Sequence, residues 1–200
     1  MLEYKSIEAL AAAAVRAGRK ISEVVLADQA EQLGMTQDEL YGRMEARLAV
    51  MEDSVRAGMN PGLRSTPGLT GGDAARMWRY AEGGGICGGF INRAMARALA
   101  VSENNAAMGR VVAAPTAGSC GILPGTVVSM LAEGRCDRRA AVLSLFTAGA
   151  FGMVIAQNAS IAGAEGGCQA ECGSASAMAA AAMTELMGGS PAQCAHACAM

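Results

Sequence analysis

Apolar residues recur every three or four positions through most of this chain, and no stretch alternates at the two-residue period of a half-buried strand. That periodicity predicts helices over residues 6–17 and 20–33. A third opens at Thr36-Gln37-Asp38-Glu39, a capping box in which the Thr36 hydroxyl and the Glu39 carboxylate satisfy backbone donors. It carries Leu40, Met44, Leu48, Met51 and Val55 at helical steps and stops near Gly58, where Gly58-Met59-Asn60-Pro61-Gly62 breaks it. Residues 59–72 read as loop, and Asp73 is expected to cap a helix reaching about Tyr80. Gly83-Gly84-Gly85 separates that helix from one over 88–107, with Ile91, Met95 and Leu99 on one face. A loop at 113–121 leads to helices near 122–133 and 138–156, then to a glycine-rich loop around Cys168 and a helix over about 172–187. Ser190 as N-cap and Pro191 at the first helical position open a last helix.

The expected class is therefore all-α: a compact bundle of small-residue-rich helices with glycine-rich active-site loops and an N-terminal helical hairpin. The organisation is an amphipathic helical segment over 1–58 followed by a main region over 59–200. The last helix reaches Met200 without a C-cap or a polar tail, so the chain is expected to break off inside an element.

Composition sharpens this picture. Aromatic residues make up only 4% of the chain while alanine and glycine abound, so a tight core requires close helix–helix approach. The net charge of −2 and the absence of a basic stripe among the scattered arginines exclude a nucleic-acid partner. The N-terminus lacks the apolar region of a signal peptide, and the most apolar stretch, residues 140–156, falls short of the roughly 20 strongly apolar residues of a bilayer span. It reads as a core helix, with no membrane partner and a cytoplasmic location. Seven cysteines, an odd number, read as reduced thiols in that setting.

Three stretches could carry chemistry. In Gly163-Ala164-Glu165-Gly166-Gly167-Cys168-Gln169-Ala170-Glu171 nothing bulky screens the Cys168 sulfur, which can therefore bind a soft metal or an iron–sulfur cluster. Val111 to Gly125 places Thr116, Gly118, Ser119 and Gly121 before a helix start. This is either a cradle for an anion such as a carboxylate, with Gly118 and Gly121 admitting a ligand to the backbone amides, or an ordinary connection with capping hydroxyls. Arg64 to Gly72 has the same character, but read alone it is a plain loop. Glu103 to Gly109 reads as a helix terminus. Cys168 and Cys172 form a C-x3-C pair, as do Cys194 and Cys198. A four-thiolate zinc site is conceivable on that spacing, but helix packing is the favoured reading. The only lysines, Lys5 and Lys20, lie outside the glycine-rich loops, so a pyridoxal phosphate Schiff base has no candidate there, and His196 is the sole histidine.

Four motifs taken together resemble the α chain of iron–sulfur-dependent L-serine dehydratases: Gly68-Leu69-Thr70-Gly71-Gly72-Asp73-Ala74, Asn105-Ala106-Ala107-Met108-Gly109-Arg110, Ala113 to Gly125, and Gly163 to Glu171. The resemblance implies conversion of L-serine to pyruvate and ammonia without pyridoxal phosphate. A [4Fe–4S] cluster on three cysteines would act as Lewis acid on the substrate hydroxyl. Cys168 matches the first cluster ligand, and the other two are expected beyond Met200. The candidate substrate-binding residues are Ser65, Thr70, Asn105, Thr116, Gly118, Ser119 and Gly121, with the proton-abstracting base unassigned. The resemblance further implies a β subunit and an oligomer. A related cysteine desulfidase, or a helical scaffold without the cluster, are the alternatives.

Overall fold

The computed structural model describes residues 4–200, and the described residues form nine α-helices and no strand, as the periodicity requires. The helices are α1 (Ile7–Ala17), α2 (Ile21–Leu33), α3 (Gln37–Gly58), α4 (Asp73–Glu82), α5 (Gly88–Ala106), α6 (Ile122–Ala132), α7 (Arg138–Asn158), α8 (Gly163–Leu186) and α9 (Pro191–Ala199). Their ends follow local chemistry. The Ser6 hydroxyl accepts from the Ala9 amide, and Gly18 closes α1 in the left-handed conformation that costs glycine nothing. Glu39 accepts from the Thr36 amide at 2.8 Å while Thr36 Oγ1 accepts from the Glu39 amide at 3.2 Å, so the expected capping box is formed. Ser190 and Gln193 close a second box, with Pro191 behind it.

The chain divides into two compact units, so residues 1–58 are shared between them rather than set apart. One unit runs up to Ala46 and resumes over Cys136–Met200. In it α7 packs against α2 and α8, and α9 against α1 and α8. Phe146 and Phe151 of α7 are fully buried. Gly152 lies against the Met178 side chain, whose sulfur would stand 2.7 Å from an added Cβ. Among the described residues α7 is the one helix long and apolar enough to cross a membrane, and 61% of its most apolar window is buried inside the protein.

The other unit, Arg47–Arg135, holds the end of α3 with α4, α5 and α6. Its centre is α5, whose apolar stripe is not its buried side. Ile91, Met95 and Leu99 do share one face, and that face is the outer one, 52%, 44% and 38% exposed. The buried side of α5 instead carries Asn92, Ala96, Arg97, Ala100, Val101, Glu103 and Asn104. The physical reason is distance. A Cβ on Gly58 would stand 1.7 Å from the Ala100 carbonyl oxygen, and one on Gly121 would stand 2.3 Å from that of Ala98. Backbones this close leave no room for long aliphatic side chains.

Polar side chains on that face are consequently paired. Arg93 grips the Glu133 carboxylate with two bonds of 2.8 and 2.7 Å, while Arg97 reaches Ser129 Oγ at 2.8 Å and Glu133 at 3.3 Å. The Arg97 guanidinium also lies over the Trp78 ring, 5.0 Å from its centre. Hydrogen bonds from Arg93, then Arg97, hold the Glu133 carboxyl below the ordinary glutamate range.

Candidate functional site

Three of the four motif stretches converge at the C-terminal end of α5. The first six residues after Arg64 close a turn: the Ser65 amide donates to the Thr70 carbonyl at 2.9 Å, and Ser65 Oγ accepts from the Thr70 amide at 3.1 Å. The Thr66 amide donates to the Ala106 carbonyl at 3.1 Å, which ties this turn to the end of α5. On the other side, Asn105 Nδ2 donates to the Ala117 carbonyl at 3.1 Å, tying the 113–121 loop to the same helix end. Thr116 and Ser119 share a hydroxyl–hydroxyl bond of 3.2 Å, with Ser119 buried and Thr116 half-buried. Of the expected binding residues, Ser65, Asn105, Thr116 and Ser119 are thus brought together by main-chain and side-chain bonds, and Thr70 and Gly118 lie exposed on the two loops.

Gly121 does something other than admit a ligand. It is buried, and its missing side chain lets the start of α6 rest on the Ala98 carbonyl. Gly125, one turn on, lies equally close to Ala94 and Ala98. Of the two glycines expected to let backbone amides approach a ligand, Gly118 alone is exposed at the surface.

The residue that holds this junction together is one the sequence reading passed over. Glu103, buried in the last turns of α5, accepts from the amides of Gly72 at 2.9 Å, Asp73 at 2.6 Å and Ala74 at 3.1 Å. These are amides at the start of α4, which the helix cannot satisfy itself. A carboxylate there also meets the positive end of the helix dipole. Asp73, expected as the cap, is instead the first helical residue, and its carboxylate pairs with Arg76. Asn104 supports the next turn, its side chain donating to the Arg110 carbonyl at 3.0 Å and its carbonyl accepting from the Gly109 amide at 2.8 Å. A Cβ on Gly109 would stand 2.0 Å from Asn104 Oδ1, so any side chain here would displace the Asn104 amide from the Arg110 carbonyl. The available signal was Glu103-Asn104 itself, two polar residues continuing the helical face of Ala96 and Ala100.

The fourth motif lies in the other unit and is built differently. The expected loop around Cys168 is helical, with a break: Gly167, at φ 75° and ψ 176°, interrupts α8, and Cys168 is the first residue after the break. Such backbone angles are open essentially to glycine alone. Cys168 is exposed and Cys172 half-buried one turn on, with their sulfurs 3.7 Å apart. The thiol–thiol contact is the first cause, ahead of burial, that raises the pKa of Cys172. Helix packing therefore does not describe this pair. It does describe Cys194, which is fully buried and whose thiol is pushed up to about 11 by burial and then by Glu185. Among the described residues no three His, Cys, Asp or Glu side chains group as a metal site, so the two C-x3-C pairs do not form a four-thiolate centre.

Comparison with known proteins fixes the lineage. The serine dehydratase alpha chain family matches residues 16–200. The chain is 47% identical over 181 residues to a probable L-serine dehydratase alpha chain of Bacillus subtilis (strain 168), covering 90% of this chain and 60% of that one. It is 42% identical over 181 residues to the L-serine dehydratase alpha chain of Peptoniphilus asaccharolyticus, with 90% and 62% covered. It is also 55% identical over 97 residues to an L-serine dehydratase of Escherichia coli (strain K12), covering 48% of this chain and 21% of that one. The chain thus spans about three-fifths of the length of the two alpha chains it matches. With a match running from Arg16 through the junction at the end of α5 and through the Cys168 segment, the chain belongs to the serine dehydratase alpha chain family.

Proposed function

We propose that this chain is the alpha-type catalytic region of a cytoplasmic, pyridoxal-independent L-serine dehydratase that works with a β subunit in an oligomer. The reaction removes the α-proton and the β-hydroxyl of L-serine as water. The resulting aminoacrylate takes water back as it hydrolyses to pyruvate and ammonia. The observation that carries the reading is the family match through residue 200 together with a polar junction whose framework is tied from three directions.

In this reading the junction binds the substrate. Thr116 and Ser119 offer hydroxyls, Gly118 an unscreened backbone, and Asn105 anchors the loop that carries them. Ser65 and Thr70 shape the facing turn. A carboxylate of serine suits such a set of short donors ahead of the α6 N-terminus.

A [4Fe–4S] cluster requires several thiolates. The described residues fit one corner of it: Cys168, exposed and flanked by Gly166, Gly167 and Gln169, has room for an iron, and no third ligand joins it and Cys172. Cys168 is therefore proposed as one ligand, the others coming from segments that the resemblance puts outside these 200 residues.

The test is anaerobic reconstitution with iron and sulfide of a polypeptide that carries this chain together with the two further cysteine segments, in the presence of a β chain. Expected are pyruvate from L-serine in preference to L-cysteine, and loss of both the cluster spectrum and activity in Cys168→Ala. Sulfide release from L-cysteine without turnover of serine would favour the desulfidase. A folded, iron-free and inactive protein would leave only a scaffold.

A further inference from the structure

We propose that Cys168 and Cys172 form a two-thiolate chelate for one soft divalent cation, a state that uses Cys168 and so excludes it from a cluster. The argument begins with distance. Two thiolates on a tetrahedral zinc-like ion, with metal–sulfur bonds of about 2.3 Å, stand about 3.8 Å apart. The sulfurs of Cys168 and Cys172 are 3.7 Å apart before any ion is added. A cubane cluster makes the opposite demand, because each thiolate takes its own iron and neighbouring ligand sulfurs are held well beyond contact. The pair is thus spaced for a single ion and wrongly spaced for two corners of one cluster.

Position explains why the sulfurs meet. Residues four apart on a helix share a face, and the side chain of the later one leans back toward the N-terminus. Cys172 therefore leans toward Cys168, which begins the helix after the break at Gly167. The surroundings leave space for an ion: Gly166, Gly167, Gln169 and Gly173 are all exposed. Glu165 and Glu171 flank the pair and give the surface a negative sign that attracts a cation.

No third protein ligand joins the pair among the described residues, so the remaining coordination positions are open to water or small ligands. An ion held this way is exchangeable rather than structural. Thiolate ligands select soft ions such as zinc over magnesium or calcium. Binding releases one proton from each thiol as two metal–sulfur bonds form, with no change in oxidation state. The chelate stands independently of the function proposed above. Its consequence, that a bound ion occupies Cys168 and so competes with cluster assembly, rests on that reading.

Cobalt(II) is the probe, titrated into the reduced 200-residue chain without oxygen. The expected result is a thiolate-to-cobalt charge-transfer band that saturates at one equivalent, releases two protons and disappears on adding zinc. Cys168→Ser and Cys172→Ser should each abolish the band. Cys87→Ser and Cys198→Ser should leave it unchanged, and circular dichroism should show all four variants helical. Absence of the band, its survival in Cys172→Ser, or its loss in Cys198→Ser would overturn the chelate. In the reconstituted longer protein, zinc added first should block cluster formation, and Cys172→Ser should relieve the block. If no cluster forms even without zinc, the cluster reading has failed while the cobalt result still stands.

Discussion

The junction at the end of α5 and the Cys168 segment are both glycine-rich, and both carry the family resemblance, yet they are stabilised in opposite ways. At the junction nearly every polar group has a partner: Glu103 serves three amides, Ser65, Asn104 and Asn105 each bond to a more distant backbone group, and Thr116 and Ser119 bond to each other. The Cys168 segment is exposed from Ala164 to Gln169, is broken at Gly167, and has as its side-chain bonds a Ser160–Glu165 contact and the thiol pair. Preorganised donors cost nothing to arrange when a ligand arrives. Open thiols, by contrast, are useful when a metal and further ligands must still be added. The contrast is that of a tightly bonded polar junction and an open segment with two free thiols.

The sharpest way to break this contrast is Glu103→Ala. It strips three amides at the start of α4 of their acceptor inside a buried setting, where each unsatisfied donor costs about 1–3 kcal/mol before relaxation. A loss near 3 kcal/mol is expected in urea unfolding, with Glu103→Gln intermediate because one acceptor oxygen remains. A loss below the ~1 kcal/mol of an ordinary helix cap would mean that the junction is not held by this residue. Gly121→Ala ranks next. Its Cβ would stand 2.3 Å from the Ala98 carbonyl oxygen, so α6 must move, at about 1–3 kcal/mol by the usual cost of overpacking. In the reconstituted enzyme the same shift should raise the KM for L-serine, because it displaces Thr116 and Ser119.

A smaller effect comes from the ion-pair network behind the junction. Arg93 and Arg97 lower the folded-state pKa of Glu133 below its unfolded value, so the stability this carboxylate contributes is present above the ordinary glutamate pKa and fades as pH falls through the folded one. Urea unfolding of wild type and Glu133→Gln at several pH values below about 5 should show the difference between them shrinking with acidification. A constant difference would mean that Glu133 acts by packing rather than by charge.

How much of this was legible depended on whether a residue's role was local. Caps such as Thr36–Glu39 and Ser190–Gln193 act within one helical turn, and both could be read directly. Glu103 acts on amides thirty residues away, and at its own position it resembles any polar helix end. Which face of α5 is buried is hidden from the sequence for a related reason. Ile91, Met95 and Leu99 satisfy the helical period, but Gly58, Gly121 and Gly125 lie elsewhere in the sequence, and only in the fold do they bring neighbouring backbones too close for large side chains. Gly166-Gly167 has the composition of a loop, because glycine runs usually break helices. The helix resumes immediately beyond it since Cys168 to Leu186 is rich in alanine.

The least disruptive change tests the open side of the contrast. Gly167→Ala places a Cβ where nothing lies within 4 Å, so the cost is backbone strain alone, about 1–3 kcal/mol if the break had to be kept. An exposed segment with few bonds need not keep it. It can rotate into continuous helix and escape the strain, so the global unfolding free energy should fall by less than about 0.5 kcal/mol, the range of surface substitutions. The local readout should move nonetheless. With the break removed, the turn preceding Cys168 continues across its sulfur, and alkylation of that thiol should slow relative to wild type. Cobalt binding at the Cys168–Cys172 pair should persist, because the four-residue spacing lies wholly after the break. A loss of stability as large as that of Gly121→Ala would show that the segment is as firmly built as the junction, and the contrast between the two regions would fail.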